Sequence, residues 1–191
     1  MVELLGKQEA VAGLIDGEVI DDSDRVAVCI KGIVNGFPAR LETFMVGFPW
    51  SVSYALETNI VENPDEDRSP YNKDQAKINF VPRIGKGMWS ILSRLFLFET
   101  KGQKVHDKQL EKTMIITYDN QEPALRFIKY PGVSEILMTL HDDCHMKEMV
   151  VKTDEGIYFN QGVNFKDMDM DLCQATFKYM GELSQVLAEA F

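Results

Sequence analysis

The sequence predicts an α+β protein: a curved antiparallel sheet built from hairpins, with a long amphipathic C-terminal helix packed across one face. Three observations carry this. Strand-like runs crowd the first half, and tight-turn signals at Asn35-Gly36 and Asp154-Glu155-Gly156 make hairpins, which pair antiparallel. The regular strand–helix–strand alternation of a parallel sheet does not appear. Near the C-terminus, Cys173, Phe177, Met180, Leu183, Leu187 and Phe191 recur at steps of three and four, an apolar stripe of helical period.

Taken in order, residues 2–15 place Leu4, Val11 and Ile15 at roughly helical spacing, interrupted by Gly6 and Gly13; a short helix or a frayed arm fits. Residues 25–33 alternate Val26, Val28 and Ile30 and read as a strand. Asn35-Gly36 follows, two residues that tolerate positive φ, and a second strand runs over 39–47. Pro49 breaks the chain before a third strand at 50–60. Trp50, Val52, Tyr54 and Leu56 would share one face of it, and Ser51, Ser53, Ala55 and Glu57 the other.

Residues 61–74 hold two prolines among mostly polar groups and read as a surface loop. Strand character resumes at 76–81 with Ile78 and Phe80. Residues 83–100 admit either helix or strand, and 101–112 read as a turn or loop. A short strand is predicted at 113–118. Asp119 and Glu122 have the spacing of a capping box before Ala124, Phe127 and Ile128. Pro123 is tolerated in that first turn, where amides lack intrahelical partners. Pro131-Gly132 closes this helix, and Val133, Ile136, Leu137 and Leu140 build another. A second hairpin joins 146–153 to 157–163, with Gly156 in the left-handed position. The closing helix spans about 168–190, with Asp167, Asp169 and Asp171 at its positive dipole end.

The 191 residues fit one medium domain, with a β-rich half over about 18–100 and a mixed α/β half over about 104–191. A net charge of −10 repels phosphate backbones, which argues against nucleic acid as a partner. Cys29, Cys144 and Cys173 are odd in number and show no paired spacing, as expected of free thiols in a reducing compartment. The N-terminus lacks a basic start followed by an apolar run, so no signal peptide is expected. The longest apolar stretch, 88–98, contains Ser90, Ser93 and Arg94 and falls short of the ~20 residues of a membrane span. A soluble, cytoplasmic chain is the expectation.

Chemistry-bearing clusters are few. His141, Cys144 and His145 form the one group of metal-capable types; His141 and His145 are four apart and would share a face if one helix carried both. Asp167, Asp169 and Asp171 mimic the start of a calcium loop. That loop needs glycine at its sixth position and glutamate at its twelfth, where this chain has Leu172 and Lys178. Asp21, Asp22 and Asp24, and the acids of 62–67, read as solvated loop charge. No spacing implies a catalytic triad, a phosphate loop or a cofactor.

The segment 83–104 stands apart. Arg83, Lys86, Arg94, Lys101 and Lys104 face one acid, Glu99, a local charge of +4 in a chain of net −10. Met88, Trp89, Ile91, Leu92, Leu95, Phe96 and Phe98 lie between the charges. As a helix, Met88, Ile91, Leu92, Leu95 and Phe98 would form one face. Such a segment can pack as core, sit in a partner groove or dock on an anionic surface.

The run from Asp107 through Leu110, Met114 and Tyr118 to Phe127, followed by a second helix, a hairpin and a closing helix, is similar to a group of uncharacterised bacterial proteins. The resemblance spans about 104–191. It implies the α+β fold and a bacterial cytoplasmic origin, and no activity for any residue.

Three functional readings follow. The first is a non-enzymatic cytoplasmic binding or scaffold module that contacts itself or another protein through Arg83, Lys86, Trp89, Arg94, Phe96 and Phe98. The second is a small-ligand or metal-dependent hydrolase built on the turn from His141 to His145. The third is peripheral docking on anionic membrane through residues 83–101.

Overall fold

Alternation of apolar and polar residues decides the architecture, because successive side chains of a strand point to opposite faces. The computed structural model describes residues 2–20, 28–44, 51–58, 75–83 and 102–191. In chain order the elements are α1 (Val2–Leu14), β1 (Glu18–Ile20), β2 (Val28–Val34), β3 (Phe37–Phe44), β4 (Ser51–Glu57) and β5 (Lys77–Pro82). There follow α2 (Lys108–Thr113), β6 (Met114–Tyr118), α3 (Gln121–Ile128), α4 (Val133–Asp142), β7 (Met146–Lys152), β8 (Gly156–Gln161) and α5 (Met170–Ala190).

The strands form one open sheet in the order β1-β2-β3-β4-β8-β7-β5-β6, with every neighbouring pair antiparallel. The two halves of the sequence interleave: β4 pairs with β8, and β5 sits between β7 and β6. An antiparallel α+β fold with the C-terminal helix packed on the sheet is therefore what the sequence builds.

Register aligns the apolar residues into rows. One row runs Ile30, Leu41, Tyr54, Phe159, Met149, Phe80 and Ile116, all buried. A second runs through Ala39, Leu56, Ile157, Val151 and Ile78. Helix α5 covers these rows with Cys173, Phe177, Met180, Leu183 and Leu187, and joins Val11 of α1, Ile15 just past its end, Phe127 of α3 and Leu137 and Leu140 of α4 in one core. The predicted stripe stops at Leu187; Phe191 lies past the helix end and is 40 % exposed.

The turns follow their residues. Asn35 (φ 52°) and Gly36 (φ 85°) take the two left-handed positions of a tight hairpin, as predicted. Gly156 has φ 144°, and a Cβ there would sit 2.1 Å from the Leu56 carbonyl oxygen, so only glycine lets β8 start this close to β4.

Four local readings differ from the sequence expectation. Residues 18–20 form a short edge strand, β1, where none was predicted. Residues 108–113 form helix α2 rather than loop, because the Asp107 carboxylate accepts from the Gln109 and Leu110 amides and Leu110 is buried beneath it. The capping box at Asp119 does not form. Asn120 is the N-cap of α3 and makes no side-chain cap bond, while Asp119 Oδ1 accepts from the Lys77 amide at 2.8 Å and extends the β5–β6 pairing. Helix α4 runs on past Leu140 through His141 to Asp142.

Candidate functional site

Three places hold the chemistry-bearing residues. The first is the base from which residues 84–101 leave and return. Arg83 is exposed at the end of β5; its amide donates to the Thr113 carbonyl at 2.8 Å, and its Nε donates to the Glu111 carbonyl at 2.9 Å. On the returning side, the amides of Val105 and His106 both donate to Glu111 Oε1 at 2.9 Å. These two bonds hold the Glu111 carboxyl below the usual glutamate range, because they favour its charged form. Both feet of the segment thus meet at one residue of α2.

The returning chain is also stitched to the sheet edge. The Gln103 amide donates to the Ile116 carbonyl at 2.7 Å, and its side-chain oxygen accepts from the Tyr118 amide. Val105 is buried beside this edge. Asp107 then caps α2 and accepts from Ser134 Oγ at 2.6 Å, tying the base to the start of α4. Ser134 is the chief reason the Asp107 pKa lies below the usual aspartate range. Lys86, Trp89, Arg94, Phe96 and Phe98 lie outside the described residues, as do Asp21, Asp22, Asp24 and the acids of 62–67.

The second place is the end of α4. His141 occupies its last turn, with Nδ1 2.6 Å from Asp142 Oδ1. Cys144 is fully buried. His145 is exposed and lies beyond the helix with φ 52°, its carbonyl accepting from the Gly162 amide at 3.0 Å. The helix stops before His145, so the two imidazoles do not stack one turn apart on a common face. Among the described residues no group of three or more His, Cys, Asp and Glu side chains is placed to hold a metal ion.

The third place, which the sequence did not single out, is a polar cluster inside the core. Tyr54 is 1 % exposed, and its hydroxyl donates to Gln161 Oε1 at 2.8 Å and meets Met168 Sδ at 3.2 Å. Gln161 Nε2 donates to the Cys144 carbonyl at 2.9 Å and lies 3.4 Å from Thr176 Oγ1. The Tyr54 ring stands edge-on to Phe159 and Phe177, with centroids 5.8 and 5.0 Å away. This cluster locks β4, β8, α5 and the turn after α4 together.

Its two thiols are chemically quiet. Burial pushes Cys173 up to about 12 and raises Cys144 as well. Thiolate is the reactive form, and burial disfavours it at both positions. Burial likewise lifts Tyr54 well above the usual phenol range. Cys29, the third cysteine, is also buried, its Sγ donating to Glu42 Oε1 at 3.9 Å.

No helix among the described residues is long and apolar enough to cross a membrane. Comparison with protein-family models, with curated proteins and with solved structures finds no match.

Proposed function

We propose that this chain acts by contact, as a binding or scaffold module whose working surface is the basic, apolar segment 83–101. The observation that supports it is the base just described. Arg83, Val105 and His106 converge on Glu111 from the two sides of the segment, so its feet are fixed while its own residues concentrate aromatic side chains and positive charge. Aromatic and arginine residues are the side chains that dominate contact energies at protein interfaces. The rest of the chain is acidic, so a second copy offers the segment a surface of opposite charge. Self-association is the simplest form of the proposal. Three buried cysteines outside any disulfide support a reducing compartment, the cytoplasm.

Light scattering of the full chain at micromolar concentration tests it, repeated with Trp89→Asp. The expected result is a mass above that of one chain, reduced to one chain by the substitution. A single-chain mass for both proteins would overturn self-association. Co-sedimentation of the wild-type chain with anionic phospholipid vesicles, lost at high salt, would instead assign the segment to a membrane surface, because such binding is screened.

A further inference from the structure

We draw no further inference here: the strongest candidate, the sheet face turned away from the helices, where Glu42, Ser53, Asn160 and Glu148 form a polar stripe across four neighbouring strands beside Ala55, Val150 and Tyr158, carries nothing because nothing in the structure shows what covers it.

Discussion

The two faces of the sheet use the same strands for different ends. On the inner face, Leu41 of β3 lies between Ile30 and Tyr54 under the helices and is fully buried. Its chain neighbour Arg40 points the other way, stands opposite Lys31 and Ala55, and pairs with Glu42 at 3.3 Å. One residue of displacement along β3 moves a side chain from close-packed core to a half-exposed surface of mixed polarity. The inner face holds the molecule together, so its residues are poor candidates for function. The outer face carries a polar stripe from Glu42 to Glu148, and the base at Glu111 anchors the two ends of the segment 83–101.

Substitutions should divide along that line. The largest effect is expected for Leu41→Ala, about 2–5 kcal/mol of stability lost, measured by urea unfolding. Tyr54→Phe comes next, at roughly 1–3 kcal/mol, because Gln161 Oε1 is left buried without its donor. Calorimetry that found this variant unchanged would mean the core cluster tolerates an unpaired amide oxygen.

Asp107→Ala should cost about 0.5–2 kcal/mol, the range for a lost N-cap. It carries a pH signature. The folded carboxyl is held below its ordinary value, so its contribution is full above the unfolded aspartate pKa of about 3.9 and is lost as pH falls through the folded value. Wild type should therefore lose its advantage over Asp107→Ala in acid. An advantage that did not shrink at any acidity below the unfolded value would contradict the assignment. At the alkaline end the sign reverses. Cys173 is raised to about 12, so its contribution is present below the unfolded thiol value of about 8.5 and is lost as pH climbs between the two. Cys173→Ala should flatten that alkaline decline. The smallest effect is expected for Arg40→Ala, under about 1 kcal/mol for a partly exposed ion pair.

Much of this fold was legible before any coordinates, and the reasons are local. Asn35-Gly36 and Gly156 announce hairpins because few residues accept those backbone angles. The period of Cys173 to Leu187 announces a buried helix face in the same way. What escaped notice depends on partners distant in sequence. Asp119 has cap spacing, yet the Lys77 amide, 42 positions earlier, takes its carboxylate. Helix α2 has one apolar side chain to declare it, Leu110, and owes its start to Asp107. Strand β1 is three residues long, too short to show alternation.

The candidate base divides the same way. The charge and aromatic content of 83–101 are plain in the sequence, and Arg83 was named from them. The part played by Glu111 is not, because it gathers two backbone amides and a guanidinium that meet only after β5, α2 and β6 have assembled. The Tyr54–Gln161 pair, 107 positions apart, is hidden for the same reason.

The most direct measurement pairs association with stability in two variants, Trp89→Asp and Leu41→Ala, by sedimentation equilibrium and urea unfolding. If the segment 83–101 serves contact, Trp89→Asp abolishes association and leaves unfolding within about 0.5 kcal/mol of wild type, whereas Leu41→Ala loses stability by several times that amount. A Trp89→Asp chain destabilised as severely as Leu41→Ala would place that tryptophan in the core and contradict the proposal.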